Sequence, residues 1–255
     1  MGGAMLRGWL ANGLKPQNVT IIDPSPSPAM TEFLQEAGIA TLPDASTANC
    51  VDVLLLAIKP QMFDAVLPGL TSLVGPDTTV VSVAAGKLIS SMTDIFGDVS
   101  CIRTMPNTPS LVGRGMTVCC PNSVATKPQQ QLVHVLLQAI GHVEWVEDEK
   151  LIDSVTAVSG SGPAYAFHLA ECMTNAGIAA GLAPDLARTL ATHTVAGAGE
   201  LLITSDEDAG TLRENVTSPN GTTAAALEVL MAEDGMPQLV KRAVLAAKKR
   251  SEELS

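Results

Sequence analysis

The feature that most constrains this chain is a change of texture near residue 147. Before it, short β-branched and aliphatic runs alternate with stretches of helical apolar spacing. Val19–Ile22, Val51–Ile58, Thr78–Val83 and Cys101–Arg103 are the runs, and Pro28–Ala37 and Gln61–Leu73 the helical stretches. Apolar strands separated by helices imply a parallel sheet covered on both faces. Met116–Cys120 and His142–Val146 add two strands around a helix from about Thr126 to Ala139. After Glu147 the strand signal stops and alanine becomes frequent. Stretches around 150–180, 184–203, 221–234 and 237–253 read as helices, punctuated by Gly181, Pro184, Gly210, Pro219 and Gly235. The expected organisation is a doubly wound α/β domain over residues 1–149 and an all-helical domain over 150–255.

Composition narrows the partners. Of 255 residues, 46 % are hydrophobic and 16 % charged, a globular balance. Acids outnumber bases 26 to 15, giving a net charge of −11. Such a chain is a poor ligand for nucleic acid or anionic membranes, which need clustered Lys and Arg. The longest apolar run, Val53–Ile58, is far short of the roughly 20 residues that span a bilayer. No basic-then-apolar leader is evident, so a cytoplasmic protein is expected. The five cysteines lack CxxC or Cys/His spacing. They read as reduced core residues, with no disulfide framework and no metal site.

The start of the chain carries a further pattern. Gly2-Gly3 opens a helix with Leu6, Trp9 and Leu10 on one face. The Asn18–Ile22 run follows and ends in Asp23. Helix, strand and acid in that order are the second half of a Rossmann-type dinucleotide-binding unit. A preceding strand and the first glycines of a GxGxxG turn are not in this sequence, and Gly2 alone fits the last glycine of such a turn. A gap or a collapsed pairing is therefore expected between the Val19–Ile22 and Val53–Ile58 strands. On residue types alone, the paired glycines read more readily as a flexible start.

Five segments then occur in one order. They are Ala57-Ile58-Lys59-Pro60, Val83-Ala84-Ala85-Gly86, Arg103-Thr104-Met105-Pro106-Asn107-Thr108-Pro109, Ser159-Gly160-Ser161-Gly162-Pro163-Ala164-Tyr165 and Asn215-Val216-Thr217-Ser218-Pro219-Asn220-Gly221-Thr222-Thr223. In these segments the chain resembles the pyrroline-5-carboxylate reductases over essentially its whole length. It departs from them at the missing first strand and at Asn220, where the family usually has glycine. Asn tolerates positive φ better than other non-glycine residues, so the loop is expected to keep its shape.

The resemblance implies reduction of 1-pyrroline-5-carboxylate to L-proline by hydride from NADPH or NADH. It assigns Gly2, Asp23, Ser25, Ala57, Ile58, Lys59, Pro60, Val83, Ala84 and Ala85 to the cofactor, with Glu149 and Asn215 approaching it from the helical side. By spacing alone, Ala57–Pro60 and Val83–Gly86 are ordinary strand-to-helix turns. An acid at Asp23 suits the ribose hydroxyls of NAD, with Ser25 in reach of a phosphate. Ser159, Gly160, Ser161, Ser218, Gly221, Thr222 and Thr223 are implied to bind the substrate. Thr223 stands beside the ring nitrogen as the catalytic positioner, and Thr222 beside the carboxylate. Backbone N–H groups at helix starts hold an anion without formal charge. Thr222 and Thr223 read equally as helix caps. The helical half is implied to form a homodimer, or a ring of dimers.

Two other readings stay open. A 3-hydroxyacid-dehydrogenase-like enzyme shares the architecture but needs a lysine in the helical half, and none occurs between Lys150 and Lys241. A non-catalytic or impaired homologue is compatible with the incomplete cofactor loop.

Overall fold

The structure is a computed structural model that describes Met1–Leu254. Met1–Gly160, with the residues from Lys248 on, forms one compact unit, and Ser161–Ala247 a second.

The first unit contains all seven strands, β1 (Thr20–Ile22), β2 (Ala40–Leu42), β3 (Val53–Leu56), β4 (Thr79–Ser82), β5 (Ser100–Met105), β6 (Gly115–Pro121) and β7 (Gly141–Trp145). They form a two-stranded sheet, β1–β2, and a five-stranded sheet in the order β3-β4-β5-β6-β7. β4 and β5 are buried along their whole length, as central strands covered on both faces must be. On one face Leu54, Leu56, Val80 and Cys101 pack against Phe63, Leu67, Leu70, Leu73 and Met92. On the other, Val81, Ile102, Cys119 and Val143 pack against Met5, Val133, Leu137 and Ile140. The helices that cover these faces include α1 (Gly2–Ala11), α3 (Phe63–Val66), α4 (Ile89–Phe96) and α5 (Lys127–Gln138), while α2 (Pro28–Ala37) packs through Leu34 against Leu6 of α1 and Ile21 of β1. The boundaries of α2 and α5 follow from their sequence. Ser27 accepts from the Met30 N–H and Gly38 closes α2 in a left-handed turn at φ 66°. Thr126 and Gln129 form a reciprocal capping box ahead of α5.

Three details depart from the expected pattern. β6 runs antiparallel to β5, because Met105 to Gly115 is too short for a crossover helix. The stretch Gln61–Leu73 is helical only over α3, with tight 3₁₀ turns over Pro60–Met62 and Leu67–Leu73; Pro68 and Gly69 stop an α-helix from continuing. β2, Ala-Thr-Leu, is three residues long, too short for its alternation to read as a strand signal.

The expected gap is present. β1 pairs with β2 alone and β3 with β4 alone, so no ladder joins Thr20–Ile22 to Val53–Leu56. The facing apolar side chains are held from the faces instead. Ile22 packs against the Leu54–Met92 core, and Val53 and Leu55 against the core around Met5.

After β7 come α6 (Leu151–Val155) and a π-turn over Thr156–Gly160. The second unit is helical throughout, with α7 (Gly162–Ala179), α8 (Pro184–Thr204), α9 (Ala209–Asn215), α10 (Thr222–Leu230) and most of α11 (Met236–Glu252). α9 lies outside the four helical stretches read from the sequence; Asp208 starts it by accepting from the Gly210 and Thr211 N–H groups. Ala187 and Ala191 are the only buried residues of this unit among those described. Among the described residues no helix is long and apolar enough to cross a membrane.

Candidate active site

β3, β4 and β5 run parallel with Leu56, Ser82 and Arg103 abreast. The segments that leave them therefore emerge along one edge: Ala57–Pro60, Val83–Gly86 and Pro106–Asn107. Ligands of open α/β sheets bind outside such carboxyl ends. Ala57 and Ala85 are exposed there, whereas Ala84 is buried. The turn after β4 is fixed from within. Ser82 Oγ accepts from the Ala84 N–H at 3.2 Å, and Thr104 Oγ1 donates to the Ser82 carbonyl at 2.9 Å. Gly86 completes it at φ +72°. Lys59 is exposed at the start of the following 3₁₀ turn, beside half-buried Ile58 and Pro60.

Gly2 meets this edge. A Cβ on it would stand 3.0 Å from the Ala57 Cβ, so a larger residue would push α1 off the end of β3. Met1 caps α1 with its carbonyl, which accepts from the Ala4 and Met5 N–H groups, and no side-chain cap is present. The remaining first-turn N–H groups and the positive end of the helix dipole thus lie at the exit of β3. Small exposed residues, a close glycine and a helix N-terminus fit an extended anionic dinucleotide. Asp23 ends β1, and its Oδ1 accepts from the Ser25 N–H at 2.9 Å. One carboxylate oxygen thereby holds the turn, and no intramolecular hydrogen bond to the other is present among the described residues.

Ser159 and Gly160 lie in the π-turn of the same unit. Asn107 holds that turn, its Nδ2 donating to the Ser159 carbonyl at 3.2 Å and to Ser159 Oγ at 3.3 Å. Its Oδ1 accepts from the Met116 N–H at 2.9 Å. Single π-turns are uncommon and often mark functional sites. Glu149 is engaged on both sides. Its Oε1 accepts from Arg103 Nη1 at 3.0 Å and from the Ile89 N–H, at the start of α4, at 2.8 Å. Arg103 is only 2 % exposed, and its Nη2 is buried with no partner. Sequence reasoning gave no role to Asn107 or Arg103. A charged residue inside an apolar strand was the available signal for Arg103.

Ser161, Asn215, Ser218, Gly221, Thr222 and Thr223 belong to the second unit. Ser161 precedes α7, with its carbonyl accepting from the Ala164 N–H. In the Ser218–Thr223 segment, Asn220 takes φ 57° and keeps the left-handed turn, as expected. The Gly221 N–H donates to the Ser218 carbonyl at 3.0 Å. A side chain on Gly221 would meet Ser218 Oγ at 2.5 Å, so the turn also needs glycine there. Gly221, not a threonine, is the N-cap of α10, and no side chain caps it. Among the described residues neither the Thr222 nor the Thr223 hydroxyl has a hydrogen-bond partner. Asn215 Nδ2 donates to Glu207 Oε2 at 2.8 Å, which brings Glu207 into the candidate set. Glu207 lies in the acidic run Asp206-Glu207-Asp208, which by charge alone reads as a solvated helix start.

Cys101, Cys119 and Cys120 are buried free thiols, whereas Cys50 and Cys172 are exposed, so the expectation of five core cysteines holds for three. Burial pushes the Cys101 thiol up to about 12 and Cys120 to about 11, and it raises Cys119 as well. Among the described residues no cluster of His, Cys, Asp and Glu could hold a metal ion.

Comparison with known proteins adds an independent line. The family profile "pyrroline-5-carboxylate reductase dimerisation" matches residues 149–254, and "NADP oxidoreductase coenzyme F420-dependent" matches 1–86. The pyrroline-5-carboxylate reductase of Pseudomonas aeruginosa is 36 % identical over 257 residues, covering all of this chain and 93 % of its own. That of Synechocystis is 38 % identical over 259 residues, covering 99 % of this chain and 96 % of its own. The solved pyrroline-5-carboxylate reductase of Coxiella burnetii superposes at a TM-score of 0.94, with 33 % identity over the whole of this chain and 94 % of its own. The Plasmodium falciparum enzyme, solved with NADP bound, superposes at 0.83 with 28 % identity over the whole of this chain and 94 % of its own.

Proposed function

The chain belongs to the pyrroline-5-carboxylate reductase family, and from that premise we propose how its residues carry the reaction. The protein is an oxidoreductase that reduces 1-pyrroline-5-carboxylate to L-proline with NADPH or NADH. The observation that carries the reading is the shared strand edge, where Ala57 and Ala85 are exposed and Ala57 stands beside the helix start at Gly2.

Ala57–Pro60 and Val83–Ala85 line the dinucleotide through backbone and small side chains, Gly2 lets the helix start approach its phosphates, and Asp23 with Ser25 meets the ribose. Glu149 and Asn215 border the same cofactor. When bound, the cofactor supplies a hydride to the C=N carbon. Ser159, Gly160 and Ser161 with Ser218, Gly221 and Thr222 hold the substrate carboxylate through hydroxyl and backbone N–H groups. Thr223, whose hydroxyl is half-buried and unspent, hydrogen-bonds the ring nitrogen. It positions the imine and is too weak an acid to protonate it, so the substrate enters as the iminium or takes its proton from water. The rate enhancement is then mostly proximity and orientation.

The protein is a homo-oligomer, a dimer through the helical half; rings of dimers and a cytoplasmic location complete the proposal. The test mixes purified protein with the imine and reduced cofactor and follows nicotinamide absorbance together with proline formation. Proline produced in step with cofactor oxidation is expected. Cofactor binding without turnover would favour the impaired-homologue reading.

A further inference from the structure

We infer that Asn107 is a positioning residue that fixes the Ser159 hydroxyl as a hydrogen-bond donor to the substrate carboxylate. The inference rests on the reading of this edge as a pyrroline-5-carboxylate site and deepens it.

Asn107 stands at the N-cap position of the 3₁₀ turn Thr108–Val112, yet makes no side-chain cap bond there. Asparagine at that position normally spends its carbonyl on the turn it starts. Here the amide bridges two other segments instead, the start of β6 at Met116 and the π-turn at Ser159, 52 residues away. The orientation of the amide is set by chemistry. A backbone N–H only donates, so Met116 demands Oδ1; a backbone carbonyl only accepts, so Ser159 demands Nδ2.

The consequence falls on the hydroxyl. Ser159 Oγ accepts from Nδ2 at 3.3 Å, and among the described residues its own O–H has no acceptor. A hydroxyl held as acceptor on one side presents its hydrogen on the other. A carboxylate, which only accepts, is the ligand that uses it. Asparagine alone among small polar residues supplies the acceptor for Met116 and the donors for Ser159 together. Aspartate would keep the Met116 bond. It would also set an anionic oxygen against the Ser159 carbonyl and draw the hydroxyl hydrogen to itself.

The test compares wild type, Asn107→Asp, Ser159→Ala and the double variant. Each is assayed with pyrroline-5-carboxylate and with the same imine ring lacking its carboxylate. Asn107→Asp is expected to raise KM for the carboxylated imine about tenfold, the effect of one oriented hydrogen bond. KM for the cofactor and KM for the carboxylate-free ring stay near wild type, and Tm falls only slightly, because the Ser159 carbonyl loses its donor. In the Ser159→Ala background the Asn107→Asp change adds little, because the group it acts through is gone. An unchanged KM for the carboxylated imine overturns the inference. So does additive loss in the double variant, or a parallel rise of both substrate and cofactor KM with a fall in Tm. Wild-type protein that turns over neither imine overturns the functional reading itself, and the inference with it.

Discussion

At the scale of single residues, the two candidate groups with clearest consequences are Thr223 and Glu149. The Thr223 hydroxyl has no intramolecular task, and the cap of α10 is the Gly221 backbone, so its removal should leave the helix intact. Thr223→Ala is expected to lower kcat/KM about ten- to a hundredfold, the effect of one or two oriented hydrogen bonds, with Tm unchanged. Wild-type kinetics in that variant would leave Thr223 no part in the reaction. Glu149 is the opposite case. Among the described residues its carboxylate is the only hydrogen-bond partner of a guanidinium whose residue is 2 % exposed, so Glu149→Ala strands a buried charge. A loss of about 3 kcal/mol in denaturant-measured stability is expected, larger than any change in cofactor KM. Equal stability with a raised cofactor KM would instead make Glu149 a ligand contact. The turn residues were legible, since Asn220 at φ 57° needs a residue that tolerates a left-handed conformation. The Asn107–Ser159 and Glu207–Asn215 bonds were not, because each joins residues that no periodicity relates.

Among the elements, strands were legible where both faces are covered, because β3 is an unbroken apolar run and β4 and β5 are centred on the apolar pairs Val80-Val81 and Cys101-Ile102. β2 lacks that coverage, and the sense of β6 is set by the short connection before it rather than by its side chains. β5 and β6 also carry the buried thiols, and these give a pH dependence with a definite sign. Cys101 and Cys120 hold their protons to about 12 and about 11 in the folded state, against an ordinary value of 9.0. Below the ordinary value both states are protonated and the full stability is present. Above it the unfolded chain ionises first, so stability falls as pH rises toward the folded values. The denaturation midpoint is expected to drop between about pH 8 and pH 11, and Cys101, Cys119 and Cys120 to resist alkylation until denaturant is added. Rapid alkylation of these three in native protein would contradict the burial. The open ladder between β1 and β3 makes a second prediction at this scale. An apolar strand fused ahead of Met1 through a Gly-x-Gly turn would pair with both edges and cradle the pyrophosphate beside α1. Higher Tm and tighter NADPH binding are expected, and a fusion that changes neither would mean that the slot admits no strand.

For the whole molecule, the question is what covers the helical unit. Its helices were legible from alanine-rich spacing and from Gly and Pro punctuation, but its core was not, because this unit has almost none of its own. Among its described residues only Ala187 and Ala191 are buried, and neither α7, α9 nor α10 buries a single side chain. Large apolar groups are instead exposed, with Phe167 at 68 %, Leu190 at 47 % and Val229 at 72 %. The hydrophobic effect is worth about 25 cal/mol per Å² removed from water, so a unit that leaves such surface open gains little from folding alone. Conformational entropy of about 1–2 kcal/mol per residue opposes it. A second copy of the same helices would resolve the deficit, since it presents the same apolar surface in a self-complementary way. On the proposed dimer, folding and association are one event for this half, as in obligate homodimers, and stability depends on protein concentration. Light scattering is expected to give a dimer or a multiple of it at micromolar concentration, with Tm rising as protein is added. Phe167→Glu or Leu190→Glu places a charge where apolar surface must be covered, and should yield a less stable, smaller species. A monodisperse wild-type monomer with a concentration-independent Tm would require this unit to be stable with its apolar side chains in water, against the balance of burial and entropy just drawn.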